Sequence, residues 1–73
     1  MENIKTIINT VLKNRGKQQL NEIIGSSHLR NDIGLDSLDL AELTVRIEAE
    51  YDVDIFENGI VNTVGEIMKK INR

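Results

Sequence analysis

The stretch Asp32-Ile33-Gly34-Leu35-Asp36-Ser37-Leu38-Asp39-Leu40-Ala41-Glu42-Leu43-Thr44-Val45-Arg46-Ile47-Glu48-Ala49-Glu50-Tyr51 decides how this chain is read. Up to Asp36 it has no sustained hydrophobic period; from Ser37 the apolar residues recur as they do on a helix. Asp36 suits the cap, because a carboxylate there can accept from amide hydrogens that a helix start leaves unbonded. Asp39 adds negative charge at the positive end of the dipole. A helix from Ser37 to about Tyr51 carries two apolar stripes. Leu40, Leu43, Ile47 and Tyr51 gather on one side, the expected core face. Leu38, Ala41, Val45 and Ala49 gather nearly opposite, between Glu42 and Arg46 on one edge and Glu48 on the other. A small domain can rarely cover both, and an exposed apolar strip rimmed by charge is how a docking helix looks. The plainer alternative is that the segment after the helix folds over part of that strip.

Working outward, Ile4, Ile7, Ile8, Val11 and Leu12 predict an earlier amphipathic helix, with Arg15 then Gly16 as its end. Lys17 to Leu35 lacks a period. One helical turn around Leu20–Ile24 is possible; otherwise this is a long connection pinned by Leu20, Ile23, Ile24, Leu29, Ile33 and Leu35. After the central helix, Ile55–Val61 has the composition of a turn or one short helix. Thr63 and Glu66 have capping-box spacing, and Val64, Ile67, Met68 and Ile71 form the last stripe. Lys69, Lys70 and Arg73 complement the negative end of that helix. The expectation is all-α: a small three-to-four-helix bundle with a long loop between the first and second helices and a short third helix, as one domain over 1–73.

Composition narrows the function. A chain of 73 residues buries only about 60% of its unfolded surface, which leaves little room for a substrate-enclosing cleft, so it is not expected to be an enzyme. The absence of Cys removes disulfides, thiolate zinc sites and thiol catalysis, and the single His28 leaves little for metal ligation. No apolar run nears the roughly 18 residues of a membrane span, and the N-terminus lacks a signal peptide's apolar core. A soluble, cytoplasmic monomer is expected. The net charge of −3 hides a division: Asp32 to Glu57 holds nine acids against Arg46 alone, and the remainder holds three acids against eight bases. That acidic block argues against nucleic acid and favours a basic partner protein. The bland reading is that the acids merely solvate a helix face.

Ser37 is the residue with chemistry to offer. A hydroxyl at a loop-to-helix junction is open to a modifying enzyme, although a Ser that only starts a helix is common. Competing motifs fail. Gly34-Leu35-Asp36-Ser37-Leu38 lacks the second Gly of a nucleophile elbow, and a lone His28 in a polar loop is more often solvated than a catalytic base. Asp52 and Asp54 resemble the opening of a calcium loop, but Glu57 and Thr63 stand where Gly and Glu are required. A helix-turn-helix reading would put an acidic helix into the DNA groove.

Asp36-Ser37-Leu38, after Gly34 and before Asp39 and Glu42-Leu43, resembles the attachment motif of acyl carrier proteins. Ser27-His28-Leu29 and Asp32-Ile33-Gly34 look like the loop leading into it. Glu48 to Ile55 looks like the end of the family's second helix, and Thr63-Val64-Gly65-Glu66-Ile67 like the start of its last. The resemblance implies that Ser37 receives 4'-phosphopantetheine from CoA through a separate, Mg-dependent phosphopantetheinyl transferase. The prosthetic thiol would then carry acyl groups as thioesters in fatty acid or related polyketide and specialised acyl biosynthesis. It further implies partner recognition by Asp36, Asp39, Glu42 and Glu48, with Leu38 and Val45 as apolar contacts, toward acyl-loading and synthase enzymes with basic docking patches. Leu43, Ile47, Ile60, Val64 and Met68 are the candidates for an acyl cleft, and the few apolar anchors of Ile55–Val61 should make its opening cheap. Arg46 departs from the family pattern, as does the short segment between Tyr51 and Thr63, with Phe56 where Pro is common. Both point toward a carrier dedicated to a specialised acyl, polyketide or aminoacyl pathway. Asp36 where peptidyl carriers have His, and the absence of Gly-Gly, lean away from a peptidyl carrier. The alternative outside that family is an unmodified helical adaptor.

Overall fold

Each of the three strong apolar stripes becomes a helix: α1 (Glu2–Asn14), α2 (Ser37–Tyr51) and α3 (Val64–Ile71). They are seen in a computed structural model that describes residues 2–57, 59 and 61–71, the side chain of Glu2 excepted. Arg73 lies outside these residues. The chain is all-α, and the sole extended pairing among the described residues is a single bridge between His28 and Thr63. No helix there is long and apolar enough to cross a membrane.

The end of α1 and the start of α2 are each closed by their own backbone and cap bonds. Lys17 N–H donates to Leu12 O at 2.8 Å and Gly16 N–H to Lys13 O at 3.1 Å. This is the paired bonding of a Schellman turn, with Gly16 left-handed at φ 72°. It closes α1 and aims Lys17 back toward α2. Asp36 caps α2: its side chain accepts from Asp39 N–H at 2.9 Å while Asp39 Oδ2 accepts from Asp36 N–H at 3.0 Å. Thr63 starts α3 with half of the expected capping box. Glu66 N–H donates to Thr63 Oγ1 at 3.3 Å, but the Glu66 carboxylate takes the Thr63 hydroxyl rather than its amide.

The long loop is core, not linker. Residues 17–24 form no helical turn; a reciprocal pair between the Asn9 side-chain amide and the Leu20 backbone holds them at 2.8 and 2.9 Å instead. Ile23, Leu29, Ile33 and Leu35 are buried with Ile8, Leu12, Leu43, Ile47 and Ile67, whereas Ile24 stays 52% exposed. Leu29 N–H donates to Asn62 O, and the first amides of α3, on Val64 and Gly65, donate to Ser27 and Gly25 carbonyls. The loop thus satisfies donors that the start of α3 would leave open. Leu29→Ala is expected to cost about 2–4 kcal/mol, as core truncations do, measured by urea unfolding. A cost below about 1 kcal/mol would make the loop a tether only.

After α2, Asp52 takes the left-handed conformation that ends the helix. Residues 55–57 then form turns, with Phe56 N–H on Asp54 Oδ1 at 3.0 Å. Asn58 and Ile60 lie outside the described residues. Val53, Ile55 and Val61 are all buried, so this segment is better anchored than its composition suggested.

Candidate functional site

Ser37 is the first residue of α2 and is exposed. Asp36 does the capping, so the Ser37 hydroxyl is not consumed by the helix start. Among the described residues that hydroxyl makes no hydrogen bond. The chain just before it is held by hydrogen bonds, Asp36 N–H donating to Asp39 Oδ2. Leu35 is buried at 2% exposure, and its amide donates to Leu29 O at 3.0 Å. A nucleophile-sized group on a rigid shoulder, facing water, is what the geometry provides.

Asp39 is the correction to the sequence reading. Expected among the surface acids that meet partners, it is fully buried. The physical reason is the end of α1. Arg15 Nε lies 2.8 Å from Asp39 Oδ1, and the Lys17 ammonium hydrogen-bonds Oδ2. The Arg15 approach is off the hydrogen-bond direction, which leaves Oδ1 paired by charge without a directional bond. Burial pushes the Asp39 carboxyl upward, but the Lys17 hydrogen bond, the Asp36 amide and the two cationic charges outweigh it and hold the group below its usual range. Lys17 is raised in turn, chiefly by the same hydrogen bond.

The second apolar stripe of α2 is uncovered. Leu38 is 64% and Val45 67% exposed, and Ala41 and Ala49 are exposed with them. On its rim, Arg46 Nε meets Glu42 Oε2 at 3.0 Å, and Asn14 Nδ2 donates to the same oxygen at 3.3 Å. The Arg46 hydrogen bond is the main reason the Glu42 carboxyl sits below its ordinary value. Glu48 is exposed with no ion pair among the described residues, and Asp36 is half-exposed, 3.7 Å from Lys17.

Of the acyl-cleft candidates, Leu43, Ile47 and Val64 are fully buried and Met68 packs at the edge of the core. Ile60 lies outside the described residues. None of the four described candidates lines the shallow groove of about 220 Å³ between α1 and α2, which is formed by Thr6, Ile7, Thr10, Arg46, Ala49 and Glu50. His28 is structural: Nδ1 accepts from the amides of Arg30 and Asn31 at 3.2 and 3.1 Å, and its own amide donates to Asp32. Among the described residues no group of acids and histidines could hold a metal ion. Sequence reading missed Arg15 and Lys17. Their signal was present: bases placed just past a helix end, ahead of an acidic block.

A family model, the phosphopantetheine attachment site, matches residues 2–71. The match takes in all three helices and the loop that precedes Ser37, so the chain belongs to that family. Its members attach 4'-phosphopantetheine and act as carriers rather than as catalysts, served by phosphopantetheinyl transferases and synthase enzymes.

Proposed function

We propose that this phosphopantetheine-attachment chain bears the prosthetic group on Ser37 and shuttles acyl groups as thioesters between enzymes of fatty acid or related polyketide and specialised acyl biosynthesis. The observation that supports this best is the exposed, internally unbonded Ser37 hydroxyl at the first residue of α2. The site suits the group: Ser37 is exposed, no described residue hydrogen-bonds its hydroxyl, and a phosphodiester there would sit at the positive end of the α2 dipole. In the attachment, Ser37 Oγ bonds to the pantetheine-side phosphorus of CoA as the pyrophosphate P–O bond breaks, releasing the adenosine bisphosphate. No basic side chain among the described residues touches Ser37, so its proton passes to a base on the transferase. Once bound, the group supplies a terminal thiol for thioester chemistry, and a chain without Cys offers no thiol to compete.

The partner face in this reading is the strip of Leu38, Ala41 and Val45, rimmed by Asp36, Glu42, Arg46 and Glu48. Asp39 stands behind it. The partners are a phosphopantetheinyl transferase and acyl-loading or synthase enzymes with basic docking patches, meeting a monomeric single domain over 1–73 in the cytoplasm. Glu48→Lys is expected to slow transferase association about three- to tenfold at low ionic strength, with the difference fading as salt is added. Stopped-flow rates that do not change would remove electrostatic steering from the account.

The experiment that tests the carrier reading is intact mass, before and after incubation with CoA and a broad-specificity transferase. One phosphopantetheine per chain, mapped to the peptide containing Ser37, is expected; no gain would favour an unmodified adaptor using the same exposed strip. For the interior, the reading has a medium-length acyl chain parting Leu43 and Ile47 from Val64 and Met68. Each methylene leaving water contributes about 0.8 kcal/mol toward that opening. Amide shifts around Ile47 and Met68, with a raised thermal midpoint, are expected on loading. If neither moves, the cargo is short or polar.

A further inference from the structure

We propose that Lys17 is a positioning residue for the attachment reaction, its ammonium tying three groups around Ser37 into one frame. This rests on the reading of Ser37 as the modified residue. The ammonium donates hydrogen bonds to the Gly34 carbonyl at 3.0 Å and to the buried carboxylate of Asp39, and it pairs by charge with the capping carboxylate of Asp36 at 3.7 Å. They stand three residues before Ser37, two after it and one before it. An ammonium has three hydrogens and rotates freely, so it can hold two acceptors at once while its charge faces a third group. Lys17 is itself delivered by the closed end of α1, its backbone N–H donating to Leu12 O. The frame therefore joins a rigid helix end to the junction that carries the hydroxyl.

Orientation matters here because the hydroxyl must stand in line with a phosphorus atom held by another protein. A displacement of about 1 Å at a reacting atom can cost up to about a hundredfold in rate. Asp36 and Asp39 bond each other's amides without Lys17, so the helix start survives its loss. What is lost is the tie between that start, the Gly34 carbonyl and α1. Charge predicts the opposite effect on capture. Removing a cation beside an acidic face makes that face more attractive to a basic transferase.

The test is steady-state kinetics of CoA-dependent modification on the full chain, read by intact mass, for wild type, Lys17→Met and Lys17→Arg. All three are assayed at a temperature where circular dichroism shows them folded. Lys17→Met is expected to lower kcat about tenfold with KM unchanged or reduced, and Lys17→Arg to recover kcat to within about threefold. Should Lys17→Met not fold, Lys17→Gln, which keeps a donor for the Gly34 carbonyl, is judged by the same split. A folded variant with kcat within twofold of wild type, or a loss confined to KM, overturns the proposal. A wild-type chain that gains no mass at all instead overturns the assignment of Ser37, and this proposal falls with it.

Discussion

Asp39→Asn is expected to destabilise the domain by about 2–3 kcal/mol at neutral pH, the worth of hydrogen bonds to a charged group. The substitution keeps shape and removes the charge that Arg15 and Lys17 face. Breaking a fully buried pair costs about 3–5 kcal/mol, but both cations here are 35% exposed and regain water when freed. Against the roughly 4–11 kcal/mol common for a chain of this length, the loss is large. It corresponds to a fall in thermal midpoint on the order of 10–20 °C. The pH dependence carries the sign. The folded-state Asp39 carboxyl lies below its ordinary value, so its contribution is complete above the unfolded pKa of about 3.9 and disappears as pH falls through the lower folded one. Wild type should therefore lose stability on acidification below about pH 5, with Asp39→Asn showing a shallower acid limb. Lys17, raised in the folded state, gives the mirror image: its contribution is present at neutral pH and is lost as alkali takes the ammonium proton. Urea titrations from pH 2 to 7 decide the matter. Parallel acid limbs in the two proteins would show that this charge does not hold α1 to α2.

Ser37→Ala is expected to abolish modification while leaving stability within about 0.5 kcal/mol of wild type, as exposed substitutions away from caps do. The contrast with Asp39→Asn is the informative part. Capping falls to Asp36, which accepts from Asp39 N–H at 2.9 Å, and the Ser37 hydroxyl has no internal partner among the described residues. Ala is also the better helix former, which offsets what little the hydroxyl contributes to solvation. Intact mass after exposure to CoA and transferase should stay at that of the unmodified chain, with an unchanged helical spectrum. A variant that still gains the prosthetic group would move the attachment site elsewhere. One that unfolds would make Ser37 structural.

Reading α2 by its periodicity placed Leu43 and Ile47 inward and Leu38 and Val45 outward, and burial agrees at each position. The same wheel puts Asp39 on neither stripe, and nothing within four residues of it says whether it meets water or a cation. Glu42 poses the same difficulty. Its i,i+4 partner Arg46 is legible, but Asn14 reaches it from another helix.

Helix limits, caps and stripes depend on residues within one or two turns, so this sequence determined by itself the three helices, the capping Asp36 and the placing of Ser37 at a loop-to-helix junction. The short segment after Tyr51 was ambiguous, because a few apolar residues beside Gly59 suit a turn as well as a short helix. What only the tertiary structure decided is the electrostatics around that junction. Lys17 and Asp39 are 22 residues apart, brought together by the closed turn of α1 and the packing of α1 on α2. Whether a carboxylate is solvated depends on which groups that packing brings against it. Asp39 was withdrawn from the surface and Glu48 left on it for that reason, and no local pattern distinguishes the two.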